Sequence, residues 1–424
     1  MLDIRLIRER PHFVAERLAT RGDASAADVV AKILAFDERR RQAETESQRL
    51  KADRNRVSKE LGARKAKGED ITAAAAEVRA VGEHIAALDV LAATADAEQR
   101  EALLATPNLP HDACPLGRTA EDNPVVREWG TKPAFAFAAK SHIELGESLG
   151  LLDFERGAKI SGSAFTVYTG AGARLERALI NFLLDLHTRE HGYTEMGVPY
   201  LVKGEALIGT TQLPKFADQQ YRCADDDLYL IPTAEVPVTN LHREEIVPLT
   251  KLPIKYAAYT PCFRREAGAA GVGTRGLIRM HQFDKVELVK ICRPDASYAE
   301  LDALTADAEK VLETLGFAYR RIELCTGDLG FGATKTYDIE VWAPGQNGYL
   351  EVSSCTNFED YQARRMNLRY KDAEGKNRYC HTLNGSGTAL ARLYVALLEN
   401  GQRADGSVHV PTALQPYFGA AEIR

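Results

Sequence analysis

The chain has 424 residues, 45% hydrophobic and 27% charged, a length and balance that suit two or three globular units. It has no apolar run of about 18 residues, so a membrane span is excluded, and the charged start Met1–Arg10 has no core of a secretory leader. The net charge is −6, which argues against a nucleic-acid binder unless the charge is segregated along the chain.

It is segregated. Residues 29–104 contain no proline and carry two heptad series on either side of Lys67-Gly68-Glu69-Asp70. The first series runs Val29, Ile33, Phe36, Arg40, Ala43, Ser47, Leu50, Arg54, Val57, Leu61, and the second Ile71, Ala74, Val78, Val81, Ile85, Leu88, Ala92, Ala95. Two such runs around a glycine break predict a helical hairpin closed as an antiparallel coiled coil, an arm on the order of 50 Å long. Residues 39–67 hold eleven basic and four acidic side chains, net +7, whereas residues 69–101 hold two basic and eight acidic ones, net −6. Ion pairing between the helices, a phosphate backbone lying along the first helix, and a purely structural coil all fit this pattern. The arm alone does not choose among them.

Residues 106–133 carry five prolines and read as an extended linker. Beyond it, an amphipathic helix is expected over 172–191, with Leu175, Leu179, Phe182, Leu183 and Leu186 on its apolar side. Strands are expected near 228–231, 254–265, 277–291, 318–325, 337–342 and 349–354, and helices over 297–315 and 387–400. The expectation is an α+β chain in which a mostly antiparallel sheet is flanked by helices. Its division is residues 1–108, with the arm over about 28–104, and residues 109–424. The seven cysteines (114, 223, 262, 292, 325, 355 and 380) form no C-x-x-C pair, so no zinc is expected.

Three segments carry chemistry. Gly271-Val272-Gly273-Thr274-Arg275-Gly276 matches a dinucleotide fingerprint, but period-two segments flank it and no helix follows, so a long-looped hairpin is expected instead. Its polar faces place Arg264 and Glu266 on one strand and Phe283 and Glu287 on the other: a guanidinium for a phosphate or carboxylate, and a ring for stacking on a base. The loop with Arg275 could fold over a nucleotide; an exposed hairpin with surface ion pairs is the plainer alternative. In the second segment, Glu351-Val352-Ser353-Ser354, a carboxylate beside hydroxyls suits Mg2+ carrying nucleotide phosphates. In the third, Asn384-Gly385-Ser386-Gly387-Thr388 is expected to open a helix that carries Arg392 on its inward face, where a ligand anion or an internal carboxylate must meet it.

Residues 262–289 resemble motif 2 of the class II aminoacyl-tRNA synthetases in its seryl form, and residues 384–392 resemble motif 3. The helix from Gly172 through Gly192, Tyr193 and Pro199 resembles the dimer-interface motif 1; Pro232-Thr233-Ala234-Glu235 resembles the seryl amino-acid loop, and the hairpin resembles that family's tRNA-binding arm. The resemblance spans the first residues through Pro411 in bacterial-type order. It implies a class II catalytic domain with a six- or seven-stranded antiparallel sheet, in a cytoplasmic homodimer. It further implies that L-serine and Mg2+-ATP form seryl-adenylate, and that serine passes to the 3′ end of tRNA(Ser) and also of tRNA(Sec).

By the same resemblance Arg264 and Arg392 are catalytic, on the α-phosphate with the serine carboxylate and on the γ-phosphate respectively. Glu266 and Phe283 hold adenine, and Glu351, Val352, Ser353 and Ser354 complete the ATP site, with Glu351 and Ser354 on the metal. Thr233, Ala234, Glu235, Glu287 and Ser386 bind serine, Glu235 facing its ammonium and Glu287 its hydroxyl. Arg49, Arg54, Arg56 and Lys59 are the expected tRNA contacts. Carboxylate attack on the α-phosphate needs no protein base, which agrees with the lack of an evident His or Cys nucleophile. The competing readings are a class II enzyme for another amino acid, a synthetase-like ligase that loads a carrier protein, and a non-catalytic tRNA-binding paralogue. Glu287 with the Thr233–Glu235 loop argues against the first, the arm against the second, and Arg264, Glu351 and Arg392 against the third.

Overall fold

A computed structural model of the protein describes residues 1–267 and 275–424. Gly271 and Gly273 of the glycine-rich loop lie outside the described residues. The chain divides into two compact units, Met1–Pro107 and Asn108–Arg424.

In the first unit α1 (Ile4–Glu9) and α2 (Pro11–Ala19) precede the long helices α3 (Ala26–Ala66) and α4 (Thr72–Ala105). Both long helices contain abundant alanine and no proline, and each buries one stripe against the other. From Arg40 onward the predicted seam holds: Ala43, Ser47 and Leu61 are buried on α3, Ile85 and Ala95 on α4. Near the start of α3 Ile33 is buried as expected, but Val30 and Asp37 turn inward in place of their neighbours Val29 and Phe36. The buried carboxylate is compensated: Arg8 lies 2.7 Å away, Arg40 3.2 Å, and Gln99 donates at 3.1 Å. Burial opposes ionisation of Asp37, but the hydrogen bonds from Gln99 and Arg40 and the charge of Arg8 outweigh it and hold the carboxyl below its usual range.

The second unit is built on an eight-stranded sheet. Its strands are β1 (Val125–Trp129), β2 (Thr194–Glu195), β3 (Ile254–Phe263), β4 (Gln282–Cys292), β5 (Tyr319–Glu323), β6 (Lys335–Ala343), β7 (Gly348–Asn357) and β8 (His381–Ala389). The spatial order is β1-β5-β6-β7-β8-β4-β3-β2, antiparallel throughout except for the parallel pair β2–β3. The sheet is larger than the expected six or seven strands: the strand expected near 228–231 pairs in a separate three-stranded sheet, while three unexpected strands, the two-residue β2 and the longer β1 and β8, join this one. β1 lies inside the proline-rich segment; as an edge strand it needs only one ladder, so it is half exposed and shows no clean alternation. β8 occupies the residues expected to open a helix. The helix α9 (Leu390–Gly401) starts only after Ala389. Gly385 serves close packing in the strand, since a Cβ there would lie 2.4 Å from Leu304 Cδ2.

Helices α5 (Ala171–Asp185), α7 (Ser297–Leu315) and α9 cover the sheet, contributing Leu179, Leu183, Leu304, Leu312, Leu393 and Leu397 to its core. The short helix α6 (Glu235–Asn240) stands beside β4, and α8 (Tyr361–Met366) beside β8. Together with the strand ends they frame the site.

Candidate active site

β3 and β4 form the expected hairpin, with Phe263 opposite Gln282 and Glu287 opposite Ala258. Across β4, Glu287 also pairs with Ser386 of β8. A cavity of about 470 Å³ opens over these strands. Of the sequence-predicted residues, Thr233, Glu235, Arg264, Glu266, Phe283, Glu287, Glu351, Val352, Ser354, Ser386 and Arg392 all line it. Ala234 and Ser353 are buried outside the lining; Ser353 Oγ donates to the Ser386 carbonyl at 2.6 Å.

One end of the cavity is a buried polar nest. Thr233, Glu235, Lys285 and Glu287 are each at most 6% exposed. Lys285 Nζ donates to Thr233 Oγ1 at 2.8 Å and forms an ion pair with Glu287, whose Oε1 accepts from Asn384 Nδ2 at 3.0 Å. Glu235 Oε1 accepts from Gln362 Nε2 at 2.7 Å, and Gln362 is held in that orientation because its own Oε1 accepts from Thr382 Oγ1 at 2.7 Å. Burial, with the charge of Glu287 added, pushes the Glu235 carboxyl up to about 7 against the pull of Gln362, Lys285 and Arg264. A cation placed beside Glu235 would relieve that penalty, so this end suits an ammonium group.

The other end is framed by arginines and an aromatic ring. β3 stops at Phe263, short of its expected end, and Arg264 continues the pairing only through its amide, which donates to the His281 carbonyl at 2.9 Å. The Arg264 guanidinium lies 5.1 Å from the centroid of Phe283, and its Nε donates to the Pro232 carbonyl at 3.3 Å. His281 Nδ1 donates to the Arg264 carbonyl at 3.0 Å, a fastening role for that ring. Glu266 is off the strand, at a φ of 48°, and is paired with Arg279 at 2.5 Å. Arg392 Nη1 donates to the Glu351 carbonyl at 2.7 Å and Nε to that of Ile278 at 3.3 Å, with a Glu351 carboxylate oxygen at 3.6 Å. The arginine is 30% exposed rather than fully buried, and carbonyls take its close hydrogen bonds.

Opposite Ser354 in the β6–β7 ladder stands Asp338, whose Oδ1 is buried without a hydrogen-bond partner among the described residues. Burial, with Glu351's charge, raises this carboxyl to about 8 although the Ser354 hydroxyl opposes the shift. An orphaned carboxylate oxygen beside Glu351 and Ser354 is a hard-oxygen donor set that fits a divalent cation such as Mg2+. No group of three or more His, Cys, Asp or Glu side chains with metal-holding geometry occurs among the described residues.

Sequence reasoning did not single out Lys285, Arg279, Gln362 or Asp338. Lys285 was detectable, because it sits between Phe283 and Glu287 on the inward alternation of β4. Gln362 and Asp338 come from segments without any motif. Arg49, Arg54, Arg56 and Lys59 belong to α3 in the other unit. Arg49 pairs with Glu46 at 2.6 Å and Arg56 with Glu60 at 3.4 Å on their own helix, while Arg54 and Lys59 form no ion pair among the described residues.

An antiparallel sheet bearing an arginine-framed hairpin and a strand-then-helix arginine is the architecture of a class II aminoacyl-tRNA synthetase. Residues 219–401 match the tRNA synthetase class II core domain (G, H, P, S and T), and residues 1–110 match the seryl-tRNA synthetase N-terminal domain. The serine–tRNA ligase of Akkermansia muciniphila is 59% identical over 424 residues, covering 100% of this chain and 99% of that protein. The crystal structure of seryl-tRNA synthetase from Pyrococcus horikoshii complexed with ATP superposes with a TM-score of 0.95 at 39% identity, over 100% of this chain and 99% of that one. The cytoplasmic serine–tRNA ligase of Naegleria fowleri in complex with AMP gives 0.89 at 29% identity, with the same coverage. The chain belongs to the seryl-tRNA synthetase family, the serine–tRNA ligases.

Proposed function

We propose that the cavity activates L-serine with ATP and that the enzyme then transfers serine to the 3′ end of tRNA(Ser), with tRNA(Sec) as a second acceptor. The observation that carries this reading is the joining, in one cavity, of a buried ammonium-suited nest to an arginine-framed trough. In the first step a serine carboxylate oxygen attacks the α-phosphorus, the bond from that phosphorus to the bridging oxygen breaks, and pyrophosphate leaves. In the second, a hydroxyl of the terminal ribose attacks the seryl carbonyl, the bond from that carbon to the phosphate oxygen breaks, and AMP leaves, its phosphate taking up the hydroxyl proton. The carboxylate of the first step is already an anion and needs no base, which makes positioning and charge neutralisation the main tasks of the protein there.

Arg264 is assigned to the α-phosphate and the serine carboxylate, Arg392 to the γ-phosphate, and Phe283 to the adenine face. Glu266 is assigned to the adenine amino group, for which it must exchange its bond with Arg279. Glu351 and Ser354, with Asp338 behind them, would hold Mg2+, which supplies charge neutralisation along the phosphates. Glu235 takes the serine ammonium. Glu287 accepts the serine hydroxyl, with Thr233 and Ser386 beside it; a carboxylate already engaged by Lys285 and Asn384 keeps lone pairs free for one more donor.

The unit of residues 1–108 serves as the tRNA-binding domain and residues 109–424 as the catalytic domain. Arg49, Arg54, Arg56 and Lys59 are the proposed phosphate contacts, and the working form is a cytoplasmic homodimer. Two helices of 41 and 34 residues favour a tRNA acceptor over a carrier protein. The deciding experiment is ATP–pyrophosphate exchange measured with each of the twenty amino acids. Exchange that requires serine is the expected result; exchange with another amino acid and none with serine would overturn the assignment.

A further inference from the structure

After Asp185 the helix α5 widens into a single π-turn, Leu186–Glu190, and His191 follows. The turn brings the rings of His187 and His191 together at a tilt of 58°, with their Nδ1 atoms 3.0 Å apart. His187 is fully buried, and its Nε2 lies 2.8 Å from the Gly387 carbonyl oxygen. A carbonyl can only accept, so His187 Nε2 carries the proton. Burial pushes this imidazole down to about 4, so the ring is neutral and its Nδ1 is a bare acceptor. His191 must then donate its own Nδ1–H. One tautomer assignment satisfies both contacts. Beyond His191, Asp307 lies at 3.7 Å and accepts from the Tyr193 hydroxyl at 2.8 Å.

The bond to Gly387 falls where the sheet gives the backbone least support. Glu287 pairs with Ser386 but Lys285 pairs with Ala389, so Gly387 and Thr388 stand opposite the single residue Val286: a β-bulge. On the other side, β7 pairs with β8 only at Thr356–Asn384 and Asn357–Leu383. Side chains replace the missing ladder. Ser353 Oγ holds the Ser386 carbonyl and His187 holds the next one. A Cβ at position 387 would lie 2.6 Å from His187 Nε2, so glycine is required for the approach.

We propose that His187 is a positioning residue for amino-acid recognition: through Gly387 it fixes the bulge that sets the Ser386 wall of the pocket. The proposal rests on reading that pocket as the serine site. It is tested in the full-length protein by serine-dependent ATP–pyrophosphate exchange, with KM for serine and for ATP measured separately. His187→Leu, which fills the space without a donor, should raise the serine KM by about tenfold, the effect of one lost hydrogen bond at a pocket wall. The ATP KM should stay within about twofold on the same grounds. His187→Gln, whose amide nitrogen can reach the Gly387 carbonyl, should restore most of the serine affinity.

A leucine variant that melts like the parent yet keeps the parental serine KM would overturn the proposal, as would equal changes in both KM values with no rescue by glutamine. If the leucine variant does not fold, His187→Asn, polar but too short to reach Gly387, carries the same comparison with His187→Gln. A parent protein that exchanges with an amino acid other than serine would remove the functional reading instead, an outcome distinct from a parent that uses serine and a variant that is unaffected.

Discussion

Lys51–Asp89 in the arm and Lys285–Glu287 in the cavity are the same chemical pair in opposite surroundings. The side chains of the arm pair are 43% and 49% exposed; those of the cavity pair are 7% and 0% exposed. Exposed to water, the first contributes little to stability and is screened by salt. The second lies where a lone charge costs several kcal/mol, so each partner is needed chiefly to keep the other from standing unpaired. The arm can therefore spread eleven basic side chains along one helix, commit three of them (Arg39, Arg40 and Lys51) to acids of α4, and leave the sum to act at a distance. The cavity places few charges, each tied by named bonds. Approach and grip suit the first arrangement, selection and reaction the second.

The largest expected effect falls on the cavity. Arg264→Ala should lower kcat/KM for adenylate formation by about a thousandfold or more, because its charge is needed most as pyrophosphate separates. Arg264→Lys should recover little, since an ammonium cannot replace a bidentate fork. Near-normal exchange by the lysine variant would reduce Arg264 to a structural contact.

Next, Lys285→Met and Lys51→Met break the two pairs directly. The first should cost about 3–5 kcal/mol in denaturant unfolding, the second only a small fraction of that. Equal losses would erase the distinction drawn between the two regions.

A third expectation concerns pH. Glu235 has its carboxyl raised to about 7 in the free protein, above the unfolded value, so between the two pH values only the folded chain holds this proton. Its contribution to stability therefore falls as pH rises through that window and is level above it. Serine binding runs the other way: the ammonium needs the ionised form, so kcat/KM for serine should drop by up to about tenfold per pH unit below about 7. Glu235→Gln should lower the plateau and flatten the profile. A parental profile already flat between about pH 6 and 8 would remove Glu235 from the ammonium site.

The smallest effect per residue belongs to the arm. Neutralising Arg49, Arg54, Arg56 and Lys59 should weaken tRNA binding and flatten its salt dependence, by up to about 0.9 in the log–log slope for each lost phosphate contact. A thermal melt must show the arm still folded, because Arg49 and Arg56 also pair along α3. An unchanged slope would leave the basic helix as the ion-pair partner of the acidic one.

Local pattern alone determined a good part of this protein. The heptad steps set the arm and most of its seam, since two positions in every seven repeating are visible without any knowledge of the partner. Period two around the glycine-rich loop identified the hairpin, and with it Arg264, Phe283 and Glu287, because a strand's inward face can be counted off its own residues. Tertiary structure decided what depends on neighbours distant in the chain. β1 and β8 became strands by ladder pairing with Tyr319–Glu323 and Gln282–Cys292, overriding prolines in one case and helix-like glycines in the other. Asp37 turned inward only because Arg8 and Gln99 converge on it. Gln362, Asp338 and His187 reach the site, or the strand beside it, from segments whose own spacing carries no sign of it. A hydrogen bond across a fold needs two partners and leaves no period in either sequence.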